Sequence, residues 1–123
     1  MTFRSCWVAV VDDDAAVCDS MRSLLEAYNL DVYTYQSGAD FLKESPDIAC
    51  LIVDYHMPAL DGLEFIDELR KRGSQVPVIM ITATANPEIE CRAAELGIQR
   101  VLRKPLSHQA LLGTIGEVLS DLG

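Results

Sequence analysis

The chain has 123 residues, and its 10 basic side chains against 19 acidic ones leave a net charge of −9. That balance argues against direct nucleic-acid binding, which needs a basic face, and favours a metal ion or a basic protein surface as partner. That length is enough to bury about two-thirds of the unfolded surface in one core, and half the residues are apolar, too many for a disordered tail.

In chain order, "MTFRSCWVAVV" carries no apolar signal segment with a small-residue cleavage site. Cys6–Val11 (CWVAVV) predicts a buried strand. Val17, Met21, Leu24, Leu25 and Tyr28 recur at helical spacing and predict a first helix ending near Asn29. Asp31–Gln36 (DVYTYQ) alternates, as a second, less buried strand does. The SGAD turn leads to a short helix around Ala39–Lys43, closed by Ser45-Pro46. Ala49–Asp54 (ACLIVD) is a second wholly apolar run ending in an acid. A loop with Met57-Pro58 and Asp61-Gly62 precedes a helix carrying Leu63, Phe65, Ile66 and Leu69. Gly73 and Pro77 bracket the break before a third such run, Val78–Thr82 (VIMIT). Asn86-Pro87 opens the next helix, with proline where its missing N–H does no harm, and Gly97 stops it. QRVLRKP supplies a fifth short strand, and Ser107 caps a last helix with Ala110, Leu111, Leu112, Ile115, Val118 and Leu119.

Five strand–helix units with continuously apolar strands predict an α/β fold, a parallel sheet covered by helices on both faces. No linker or repeat interrupts it, so residues 1–123 are expected as one domain. No apolar run reaches the ~20 residues that span a bilayer, and a cytoplasmic protein without a membrane partner is expected. Cys6, Cys18, Cys50 and Cys91 form no C-x-x-C pair, which leaves zinc-ribbon and thioredoxin-like readings unsupported. Three of the four sit in or beside apolar runs, as reduced core thiols do.

Ligands of an open parallel sheet bind beyond the carboxyl ends of its strands, where the strand order reverses. The first strand delivers Asp12 and Asp13, the third Asp54, the fourth Thr82 and then Ala83, the fifth Lys104 and then Pro105. Each alone has an ordinary explanation. An Asp after a strand forms a turn or caps a helix, as Asp14 is expected to do; a Thr there is structural, and a Lys before Pro is a solvated charge. Together, at four of five strand ends on one rim, they are poorly explained by coincidence.

The run VAVVDDDA (Val8–Ala15) sharpens the point. Two negative charges about 4 Å apart repel by roughly 1 kcal/mol in water and roughly 4 kcal/mol near a protein surface. Clustered carboxylates suit a hard cation such as Mg²⁺, which binds one or two of them, keeps waters and bridges to phosphate. Lys104 is a compact charge for a carboxylate or phosphoryl oxygen, and Thr82 can donate one hydrogen bond. An aspartate beside Mg²⁺ can itself be the nucleophile, forming an aspartyl-phosphate. Three acids against one divalent ion and one lysine leave the site near neutral.

The fragments VVDDD, LIVDYHMPALDGLEF, VIMITATA and VLRKPL, in this order and at these spacings, resemble the receiver domain of two-component response regulators. The likeness covers essentially the whole chain. It implies a flavodoxin-like (βα)5 doubly wound fold with strand order 2-1-3-4-5. It also implies a phosphorelay signalling module that is no turnover enzyme, in a chain carrying no output domain. Asp54 would accept a phosphoryl group from a sensor histidine kinase, a histidine phosphotransfer protein or a small phosphodonor, and would lose it by autodephosphorylation. Asp12 and Asp13 would hold Mg²⁺ directly or through water, and Asp54 and the backbone carbonyl of His56 would complete the protein ligands. Thr82 and Lys104 would contact the phosphoryl group. Thr82, Ala83 and Val101 occupy the switch positions, through which an output partner would be controlled, and the Lys104–Pro105 bond matches one that is cis in the family. A homodimer through the last helices and strand is a further implication.

His56 is expected to act through its backbone, with its side chain at the site mouth; by analogy, His56 and Thr84 tune hydrolysis of the aspartyl-phosphate. His108 receives no role. The chain departs from the pattern at Val101, where the family usually places an aromatic ring that swings inward. Valine has one stiff torsion and no ring to move, which either shifts the expected switching to the loop and helix around Thr84–Glu95 or leaves it weak.

Three rival functions fit less well. An aspartyl-phosphate phosphatase or phosphotransferase would want an acid at position 56, where this chain has His56. A degenerate receiver that serves only for docking would have lost its acceptor, metal acid or lysine, but Asp54, Asp13 and Lys104 are present. A flavin-binding electron carrier would want a Ser/Thr/Gly-rich phosphate loop, and DDDAAV would repel a phosphate without a metal.

Overall fold

The computed structural model describes residues 7–84 and 86–120. In chain order these form β1 (Trp7–Val11), α1 (Ala15–Ala27), β2 (Asp31–Tyr35), α2 (Gly38–Glu44) and β3 (Cys50–Asp54). They continue as α3 (Gly62–Lys71), β4 (Val78–Thr82), α4 (Pro87–Glu95), β5 (Arg100–Arg103) and α5 (His108–Ser120). Helix starts are set locally. Asp14, Ser37, Asp61 and Asn86 each turn a side-chain oxygen onto backbone N–H groups of the first turn, and the Ser107 hydroxyl accepts the Ala110 N–H at 3.0 Å.

All strand pairs are parallel, in the order β2-β1-β3-β4-β5, as expected. Because side chains alternate along a strand, the sheet feeds two separate cores. On one face Ala9, Val11, Leu51, Val53 and Met80 pack with Phe65, Ile66 and Leu69 of α3 and Ile89 and Ala93 of α4. On the other, Val8, Val10, Ile52, Ile79 and Ile81 pack with α1 and α5 through Met21, Leu25, Leu111 and Ile115. Strand order reverses between β1 and β3, and this opens a crevice above their carboxyl ends.

Some boundaries differ from the sequence reading. Helix α1 stops at Ala27 because Asn29 adopts a left-handed φ of 66°; the asparagine is the stop signal and not part of the last turn. Strand β5 ends at Arg103, which puts Lys104 in the following turn. Cys18 and Cys50 are buried free thiols, and burial pushes the Cys50 thiol up to about 12. Cys91 is exposed, because α4 turns Ile89 and Ala93 inward and leaves the residue between them facing solvent. Cys6, Ala85 and the closing DLG lie outside the described residues.

Candidate functional site

Strand β1 ends with its chain still paired: the Asp12 N–H donates to the Tyr35 carbonyl at 3.0 Å. The next residues bend back on themselves. Asp12 Oδ1 accepts the Asp14 N–H at 2.9 Å, while Asp14 caps α1 through the Ala16 N–H at 2.9 Å. The Cys18 thiol donates to the Asp12 carbonyl at 3.3 Å. This loop buries Asp12 to 6% exposure and leaves Asp13 exposed.

Strand β3 carries Asp54 to the same rim, 5% exposed. One carboxylate oxygen accepts the His56 N–H at 3.1 Å and the other meets Lys104 Nζ at 3.1 Å. Lys104 is positioned from β4, since its own N–H donates to the Thr82 carbonyl at 2.9 Å. The Lys104–Pro105 bond is cis. Below Asp54, a Cβ on Gly62 would come within 2.9 Å of Tyr55 Cα and 3.0 Å of the Asp54 carbonyl. Only glycine lets α3 start this close to the strand end.

Asp12, Asp13 and Asp54 bring carboxylate oxygens within 4.8 Å of one another. Burial chiefly, with the neighbouring Asp54 adding to it, pushes Asp12 from 3.8 up to about 6, against the Asp14 N–H and Lys104, which lower it. Among the described residues Lys104 is the one cation paired with the trio, so three carboxylates and one lysine leave a net −2. An all-oxygen donor set with that deficit fits a hard divalent cation, and a metal there would favour the charged form that burial, and then Asp54, disfavour at Asp12.

The fourth strand delivers Thr82, 1% exposed, yet its hydroxyl bonds neither Asp54 nor Lys104. It accepts the Thr84 N–H at 3.1 Å and lies 3.4 Å from His56 Nε2, which is also 3.4 Å from the Thr84 hydroxyl. The His56 side chain therefore stands at the site mouth, as expected, but as a bridge between two threonines, which no spacing rule foretells. Ala83 is exposed. Val101 is half-buried, opposite Met80 on β5 and packed on the α3–α4 core, away from the acids. Sequence reasoning also missed the Cys18 thiol on the Asp12 carbonyl; its helical position was readable, its partner was not.

Acids and a lysine gathered over the reversal of an open parallel sheet define a doubly wound α/β domain built around an acidic crevice. The family model for the response regulator receiver domain matches residues 8–116. The chain belongs to that family: it is a signalling domain of two-component systems and not an enzyme in the usual sense. It is 35% identical over 115 residues to the transcriptional regulatory protein TdiR of Thauera aromatica, covering 92% of this chain and 51% of that one. With the transcriptional regulatory protein FixJ of Azorhizobium caulinodans it shares 36% over 110 residues, 88% of this chain and 52% of that one. Among solved structures, chemotaxis protein CheY4 of Vibrio cholerae superposes with a TM-score of 0.87 at 26% identity, covering 94% and 99% of the two chains. Full-length FixJ from B. japonicum gives 0.84 at 28%, covering 97% and 59%.

The chain thus spans about half the length of the curated relatives it matches. Two of these are named transcriptional regulators, which narrows the expectation of no nucleic-acid contact to the receiver part alone. Among the described residues no helix is long and apolar enough to cross a membrane.

Proposed function

We propose that residues 1–123 act as one cytoplasmic receiver domain that takes a phosphoryl group onto Asp54 and uses it to control an output partner. The observation that carries this reading is the buried Asp54 carboxylate, held by the His56 N–H and Lys104 beside two further acids. A sensor histidine kinase or histidine phosphotransfer protein is the donor. An Asp54 oxygen attacks the phosphorus of the donor phosphohistidine; the new P–O bond forms as the P–N bond breaks, and the imidazole nitrogen keeps the electron pair and takes up a proton. Asp12, Asp13, Asp54 and the His56 backbone carbonyl would hold Mg²⁺, which supplies charge neutralisation at the phosphoryl oxygens when bound.

Lys104 neutralises a phosphoryl oxygen once Asp54 has reacted, and the Thr82 hydroxyl exchanges its loop contacts for a phosphoryl oxygen. That exchange is the switch, with Ala83 and Val101 at the positions that follow it. The names of the relatives support transcription as the output, with any DNA contact outside the receiver, and self-association through α4, β5 and α5 belongs to the same reading. Intact-mass spectrometry after incubation with Mg²⁺ and acetyl phosphate tests it. Gain of one phosphoryl group, dependent on Mg²⁺ and absent in Asp54→Asn, is expected. If no gain occurs with acetyl phosphate or with a phosphorylated histidine donor, the domain is a docking module that needs no phosphorylation.

A further inference from the structure

Helices α1 and α5 leave between them a cavity of about 430 Å³, floored by Val10, Ile52 and Ile81 of β1, β3 and β4 and walled by Met21 and Leu111. The floor belongs to the core and is buried, whereas the far rim, at Ser20, Ser107 and His108, is exposed. Pockets for small molecules start at roughly 300 Å³ and set apolar walls against a few polar groups that fix orientation. Here the charged groups stand at one end: Asp12, Asp54 and Lys104 line the same cavity.

The two carboxylates are not equally provided for. Asp54 has the His56 N–H and Lys104 Nζ, each at 3.1 Å. Asp12, 6% exposed, accepts the Asp14 N–H at 2.9 Å, and among the described residues no cation forms an ion pair with it. A buried charge without a counterion is costly, so the cavity selects its occupant by charge. An anion meets two acids against one lysine. A neutral apolar molecule strips water from Asp12 and returns nothing. A primary ammonium on an apolar body offsets the charge, covers the walls, and brings three N–H donors to the carboxylate oxygens.

We propose that the α1–α5 cavity binds amphipathic amines, with an aromatic ring or short alkyl chain on Val10, Ile52 and Ile81 and the ammonium against Asp12. The same carboxylate is a candidate Mg²⁺ ligand, so amine and Mg²⁺ exclude one another and the amine holds back phosphoryl gain. That last consequence rests on the reading of Asp54 as a Mg²⁺-dependent phosphoacceptor; the binding itself does not.

Calorimetric titration of the whole chain with phenethylamine, above pH 7 and in chelator, tests this. Phenethyl alcohol supplies the ring without the charge, and ethylamine the charge without the ring. Wild type is expected to bind phenethylamine about tenfold or more tightly than either control, with amide shifts in NMR at Asp12, Met21 and Leu111. Asp12→Asn, and Ser20→Phe, which puts a ring into the cavity, each weaken phenethylamine by about tenfold, while Ser20→Phe keeps its Mg²⁺ affinity. Mg²⁺ at ten times its Kd weakens the amine about tenfold in wild type. No binding, equal binding of phenethylamine and phenethyl alcohol, affinity unchanged in either variant or by Mg²⁺, or shifts gathered away from α1 and α5 would each overturn the proposal. With limiting Mg²⁺, phenethylamine slows phosphoryl gain from acetyl phosphate, read by intact mass. Absence of phosphoryl gain without any amine would sink the Asp54 reading instead, leaving the titrations in chelator to decide on the cavity.

Discussion

The sheet has a dense half and a sparse half. Strands β1, β3 and β4 are buried almost throughout, whereas every residue of β5 is exposed or half-buried. The helices repeat the contrast: α3 buries Gly62, Leu63, Phe65, Ile66 and Leu69, while α4 buries Ile89 and Ala93. The acids grow from the dense half, which holds Asp12 and Asp54 in fixed positions against their mutual repulsion. Elements that move are drawn from the least stable parts of a fold, and here those are α4, which starts five residues after Thr82, and β5, which ends one residue before Lys104. Rigid chemistry is thus joined to loose surface within the same crevice.

The largest test of that contrast is Phe65→Ala. Phe65 is fully buried and meets Phe41 edge to face, with ring centroids 5.5 Å apart. Its loss is expected to destabilise the chain by about 3–5 kcal/mol, read as a lower urea midpoint. A comparable loss from Leu102→Ala on β5 would mean that the two halves are equally consolidated.

A second test concerns the carboxylate buried in the dense half. Folded Asp12 keeps its proton up to about 6 and not 3.8, so the folded state binds a proton that the unfolded chain releases. Stability is greatest below about 4 on this account and falls as pH rises to 6 and beyond. Asp12→Asn removes that slope and is expected to stabilise the metal-free protein above pH 7 by roughly 1–3 kcal/mol. Mg²⁺ at ten times its Kd should stabilise wild type by about 1.4 kcal/mol and the variant by less. Urea titrations across pH, with chelator or Mg²⁺, decide it: a flat profile in wild type would mean that the acids are not strained.

The dense half is also the part most legible in the sequence. Its strands are apolar runs, and the acids stand where those runs end, so Asp12, Asp13, Asp54 and Lys104 could be placed on one rim without coordinates. Legibility fails where a side chain crosses between elements. Helical spacing puts Arg70 in the last turn of α3, but its hydrogen bonds to the Leu96 and Gly97 carbonyls depend on how α3 meets the end of α4. The same holds for the His56 ring on two threonines and for the Thr82 hydroxyl, which turns toward Thr84. Asn29 was readable as the place where the first helix ends, and the helix stops two residues before it.

Val101→Ala is the smallest effect and the one that separates two ways of using the sparse half. The side chain is half-buried on β5 against the α3–α4 core, and its truncation should cost about 1 kcal/mol or less. Phosphoryl gain on Asp54 should be unchanged, because the side chain packs on the α3–α4 core. If α4 carries the signal, phosphorylation-dependent partner binding also survives in this variant, while Asp54→Asn abolishes it. Should Val101→Ala abolish that binding as completely as Asp54→Asn, the valine has taken over the work of the missing ring. The sparse half would then switch through β5 and not through α4.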